Sequence, residues 1–149
     1  MRQLPLFMVV ALITASDGTQ RPVAGSGAEQ EVRQLVSQLT ASYKNDLPAY
    51  FSNYASDLTM WWPIGRVDKE RYQKSTATRE NLEAAEVSDL HVQASPSGDA
   101  AVASYILTLK ESPSSESRSY QMSLIWFRRD GKWQIVHLHY QPKRANAGG

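Results

Sequence analysis

The chain has no cysteine, which removes disulfide frameworks, thiolate metal sites and cysteine nucleophiles together. It also lacks an excess of either charge: 16 Lys and Arg stand against 15 Asp and Glu, and only 21% of residues are charged. No basic field exists to hold a phosphate backbone, so nucleic acid is not an expected partner. Long apolar runs are missing too. The run from Leu4 to Ile13 is too short to cross about 30 Å of hydrocarbon, so no stable membrane anchor is expected. No cysteine follows it to carry a lipid. Serine nucleophile motifs, phosphate-binding glycine loops and zinc spacings are absent, and neither a metal nor a cofactor is expected.

What remains, 149 residues of which 42% are hydrophobic, suits one domain with a real core. The 4 Trp, 7 Tyr and 3 Phe are ample to line a cavity. Residues 1–16 read as a secretory leader, because Arg2, the apolar run and the small residues Thr14, Ala15 and Ser16 come in the right order. Cleavage after Ser16 is expected, giving a periplasmic or secreted protein. Residues 17–28, rich in Gly, Ser, Pro and Thr, read as a flexible arm. A folded domain over 29–143 and a disordered tail over 144–149 complete the expected layout.

The domain opens with Val32, Leu35, Val36, Leu39 and Tyr43 at i, i+3, i+4, i+7 and i+11, an amphipathic helix. Asp46-Leu47-Pro48 stops it and starts a short second helix carrying Tyr50, Phe51 and Tyr54. Leu58 to Trp62 reads as a strand ended by Pro63 and Gly65. Trp61 and Trp62 must then face opposite ways, one inward and one towards solvent or a partner. Asp68 to about Ala85 reads as a partly exposed helix. From Glu86 the period changes to two, giving strands over 86–94, 101–110, 118–129 and 132–141. The fold class is therefore α+β, with helices first and an antiparallel meander after them.

Asp130-Gly131 between two apolar runs predicts a two-residue hairpin turn. That sets Arg129 opposite Lys132, Trp126 opposite Ile135, Leu124 opposite His137 and Met122 opposite His139. On this register the core face holds Tyr105, Leu107, Leu109, Tyr120, Met122, Leu124 and Trp126, with His137 and His139 among them. The other face carries Ile106, Ile125, Phe127, Val136, Leu138 and Tyr140, too apolar for a solvated back. A second copy is expected to cover it in a homodimer or larger ring, with Ile125, Phe127, Val136 and Leu138 at the interface.

Helices followed by a curved antiparallel meander resemble the cone-shaped fold of the nuclear transport factor 2 and ketosteroid isomerase superfamily. The run WFRRDGKWQIVHLHYQ, Trp126 to Gln141, resembles more narrowly the end of the association domain of calcium/calmodulin-dependent protein kinase II. GDAAVASYILT (Gly98 to Thr108), Leu90-His91-Val92 and the Asn45-Asp46 break extend the likeness to residues 29–143. The resemblance implies an oligomerisation domain with a pocket between helices and sheet, without a kinase. Kinase association domains place arginines on the pocket floor. At two matched positions this chain has Leu107 and Leu124, and Arg79 matches a third, so an apolar or aromatic ligand fits better than an anion.

The expected pocket is lined by Tyr50, Tyr54, Trp62, Arg79, Tyr105, Leu107, Tyr120, Met122, Leu124, Trp126, His137 and His139. Aromatics at these spacings also serve as plain core. His137 and His139 read first as groups that hold the core or orient a ligand, and second as general acids or bases. A metal is the weakest reading, for want of a third ligand. Tyr105 is the third catalytic candidate. An isomerase would need a carboxylate base in an apolar cavity with a tyrosine donor, and the only acids near strand ends, Asp57 and Asp89, form no such constellation. Three readings stay open: a binder of a small, mainly apolar molecule, an isomerase, dehydratase or hydrolase, and a purely structural oligomerisation module.

Overall fold

The computed structural model describes residues 24–62, 64–79 and 82–143. The leader and the tail lie outside them, as does the arm up to residue 23. Helix α1 spans Ala24–Asn45, so the last five residues expected in the arm are helical. Ala28 is buried, and its packing outweighs the poor helix propensity of the Gly and Ser around it. Val32, Val36 and Leu39 form the buried stripe of α1. Helix α2, Leu47–Ser52, begins where the Asp46 carboxylate accepts from the Ala49 N–H at 3.0 Å, an N-cap followed by a proline in the first turn. Helix α3, Lys69–Ala77, is capped in the same way by Asp68.

Six strands form one curved sheet: β1 Tyr54–Trp62, β2 Gly65–Val67, β3 Ala84–Ala94, β4 Ala100–Lys110, β5 Arg118–Arg129 and β6 Lys132–Pro142. Their order is β2-β1-β6-β5-β4-β3, with the β1–β6 pair parallel and the other pairs antiparallel. Strand β1 starts at Tyr54, so this tyrosine belongs to the sheet and not to α2. The inner face packs on the helices through Met60, Ala103, Leu124, Trp126, Ile135 and Leu138, each 0% exposed. At the β5–β6 turn Asp130 and Gly131 have φ of 51° and 75°, the two left-handed residues that such a turn requires.

The pairing begins as the turn predicts, with Arg129 opposite Lys132 and Trp126 opposite Ile135. It then shifts. Ile125 faces His137, Leu124 faces Leu138, Ser123 faces His139 and Met122 faces Tyr140. Val136 is the extra residue of a β-bulge, and beyond it every side chain of β6 lies on the opposite face from the one expected. His137 and His139 therefore leave the core face, and Leu138 leaves the outer face for the core. The physical reason is the side chains themselves: the bulge turns a buried leucine and a half-buried tyrosine to the core face, where the unbroken register would turn two imidazoles.

Candidate functional site

A cavity of about 300 Å³ lies between the helices and the inner face of the sheet. Tyr43 of α1 and Tyr50 of α2 border it on one side, and Tyr72, Ser75, Thr76 and Arg79 come from α3 and the residues just after it. Trp62, Leu107, Leu109, Tyr120, Met122 and Tyr140 complete the lining from the sheet. Trp62 turns inward at the end of β1, while its neighbour Trp61 is 60% exposed. Among the described lining residues none is a carboxylate or an imidazole, and Arg79 is the one cation.

Three phenols are hydrogen-bonded in a row beside this space. Tyr54 donates to Tyr50, and the Tyr50 and Tyr72 hydroxyls are 2.7 Å apart. All three side chains are buried. Burial pushes each phenol well above its ordinary value, so all three are neutral donors near neutral pH. The Arg79 guanidinium lies 4.3 Å from the centre of the Tyr43 ring and donates to the Tyr43 carbonyl oxygen. Burial raises the Tyr43 phenol even against that cation. The indole N–H of Trp62 is buried without a hydrogen-bond partner among the described residues. That of Trp126 is likewise unpartnered, enclosed in the core.

Six of the twelve residues expected at the pocket line this cavity: Tyr50, Trp62, Arg79, Leu107, Tyr120 and Met122. Tyr54 lies behind Tyr50, and Tyr105, Leu124 and Trp126 are closed core. Tyr105 thus has no place in the cavity as a catalytic group, although burial raises its phenol too. The two histidines sit on the outer face. His137 is half-buried, with Nδ1 3.0 Å from the Thr59 hydroxyl, and His139 is exposed. His91, Ser104, Ser123 and His139 form one cross-strand row there, too extended to converge on one ion. No group of three His, Asp or Glu side chains among the described residues is placed to hold a metal.

Sequence reasoning missed Tyr43, Tyr72, Ser75, Thr76, Leu109 and Tyr140 as lining residues. Tyr72 and Thr76 lie at i and i+4 on one face of α3 and Arg79 follows just past its end, a signal diluted by the charged residues around it. The outer face carries the rest of the apolar surface. Trp61, Val102 and Phe127 are exposed there at 60%, 41% and 41%, beside half-buried Ile106, Ile125 and Val136.

No curated protein sequence matches this chain. Solved structures share its fold. An NTF2-like protein of unknown function from Pseudomonas putida KT2440 is 21% identical, with a TM-score of 0.69 over 82% of this chain and 91% of that one. The association domain of C. elegans CaMKII is 17% identical, TM-score 0.67, over 79% and 98%. The hub homology domain of Chlamydamonas reinhardtii CaMKII is 19% identical, TM-score 0.68, over 78% and 98%. The family model of the calcium/calmodulin dependent protein kinase II association domain matches residues 28–144. By that match across most of its length, this chain belongs to the association-domain family of calcium/calmodulin dependent protein kinase II.

Proposed function

We propose that the chain is an exported, self-associating module whose copies meet through the outer face of the sheet and whose cavity holds a small, mainly apolar molecule. The observation that carries self-association is the outer face itself. Trp61, Val102, Ile106, Ile125, Phe127 and Val136 are spread over it, a larger apolar surface than a lone antiparallel sheet usually leaves to water. The association-domain family and the fold shared with a hub homology domain support the same reading. Export rests on the leader-like order of the first sixteen residues.

The cavity supports binding over chemistry. A pocket enzyme needs a base within reach of its substrate, and the described lining residues offer phenols held neutral, hydroxyls, one guanidinium and apolar side chains. A purely structural module would fill this space with side chains. Native mass spectrometry, first gentle and then denaturing, tests both halves at once. The reading expects several copies per particle and a small molecule released on denaturation. A monomer would overturn the first half, and a multimer with nothing bound in any preparation would overturn the second.

A further inference from the structure

All three histidines of the chain, His91, His137 and His139, stand on the outer face of the sheet. His91 lies opposite Ser104, Ser104 opposite Ser123, and Ser123 opposite His139. His137 lies between Ile125 of β5 and Thr59 of β1. Residues directly opposite share a face, and this face also carries Trp61, Phe127, Ile106, Ile125 and Val136. An imidazole is the one side chain whose ordinary charge change falls between pH 5 and 8.

The charges set against the three rings differ. His91 has a carboxylate partner, with Nε2 3.0 Å from Asp89 Oδ1. His137 has a neutral one, the Thr59 hydroxyl 3.0 Å from Nδ1. His139 is flanked by Ser123 on β5 and followed by Gln141 on its own strand. Towards β1 and β2 the face continues with Trp61 and then with a cation, Arg66, opposite it. At the hairpin end Asp57 is already taken by Arg129 at 2.7 Å, and that hydrogen bond holds its carboxyl below 3.8. Lys132 stands opposite Arg129. Glu86 and Lys110 lie on β3 and β4 at the other end of the strands.

We propose that acid breaks the contact between copies across this face, and that His137 and His139 are the groups whose protonation breaks it. This rests on the reading of the outer face as the surface through which copies meet. A neutral imidazole can be enclosed between two largely apolar faces, whereas a charged one with no carboxylate against it pays the desolvation of an unpaired ion. Where the same face of two copies meets, each histidine enters twice, so the penalty is repeated. The contact favours the neutral ring. It is therefore complete above the value of about 6.5 at which a free imidazole takes up its proton, and is lost as pH falls below it. His91 adds little, because Asp89 balances its proton.

Sedimentation of the full chain between pH 8 and pH 5 tests this, for the wild type, His91→Gln and the double variant His137→Gln, His139→Gln, with far-ultraviolet circular dichroism to follow the fold. The wild type should be a multimer at pH 8 and separate into folded copies in acid, its dissociation constant rising by more than about tenfold from pH 6.5 to pH 5.5. His91→Gln should behave as the wild type, and the double variant should stay assembled at pH 5.5. A smaller rise in the wild type, a double variant that separates as the wild type does, or a pH dependence that vanishes in His91→Gln would overturn the proposal and leave self-association standing. A wild type that is monomeric at pH 8 would overturn both. Should the double variant not assemble, dilution calorimetry of the wild type at pH 6 in two buffers of different ionisation heat decides. Uptake of about one proton or more per copy on dissociation is expected, and less overturns the proposal.

Discussion

Trp133 donates its indole N–H to the Glu31 carboxylate over 2.7 Å, joining the hairpin of β5 and β6 to the first turns of α1 across 102 residues of sequence. Arg128 reaches the same carboxylate and lies 4.8 Å from the Trp133 ring centre. One acidic side chain thus fixes where the helix crosses the sheet, and with it one wall of the cavity.

Removing that carboxylate should loosen the crossing. Glu31→Ala is expected to lower stability by about 1 kcal/mol, since the group is half exposed and its arginine pair is screened. The effect should depend on pH. The Trp133 hydrogen bond, with help from Arg128, holds the Glu31 carboxyl below its usual 4.5. A depressed folded value means stability that is present above 4.5 and lost as pH falls through the lower, folded value. Thermal melts of both proteins should therefore differ most near neutrality and converge in acid. A gap that persists unchanged in acid would contradict this role.

The bulge sets which side chains of β6 are buried. With Val136 as the extra residue, Leu138 faces Leu124 at 0% exposure while His139 lies on the outer face. Leu138→Ala keeps the register and should cost about 2–5 kcal/mol, whereas His139→Ala on the exposed side should stay within about 0.5 kcal/mol. Equal losses at Leu138 and His139 would mean the strand is turned the other way.

That bulge also marks where the sequence stops being legible. The Val32, Val36 and Leu39 stripe, the Asp46 cap, the Asp130-Gly131 turn and the Trp126–Ile135 pairing all follow from local rules, and the structure has them. A bulge does not follow from local rules, because it exists only relative to the partner strand. Val136 to Tyr140 alternates equally well in either phase. The one available signal was chemical: Leu138 and Tyr140 make a better buried pair than His137 and His139. Half of the cavity was invisible for a related reason. Tyr72 and Thr76 share a face of α3 with Arg79 just past its end, but Lys69, Glu70, Arg71 and Lys74 make the helix read only as a partly exposed one, with no sign of which face looks inward.

The phenols give the protein an alkaline limit. Burial raises Tyr50, Tyr54, Tyr72 and Tyr105 above 10.0 in the folded state, while the unfolded chain ionises them near that value. Above pH 10 the unfolded state loses these protons first, so stability is full below 10 and falls as pH rises. Phenolate absorbance and the loss of helical circular dichroism should rise together in one step. Four phenols titrating smoothly in a chain that stays folded would show that they are not enclosed.

Sedimentation velocity at micromolar concentration, on the wild type and on Phe127→Glu, tests the central claim most directly. Phe127 is 41% exposed on the outer face, so a carboxylate there should leave the fold intact. It would carry an unpaired charge into any contact between copies, at a cost of a few kcal/mol. The account predicts a multimer for the wild type and a folded monomer for Phe127→Glu. A wild-type chain that sediments as a monomer, or a multimer that the substitution leaves whole, would contradict it.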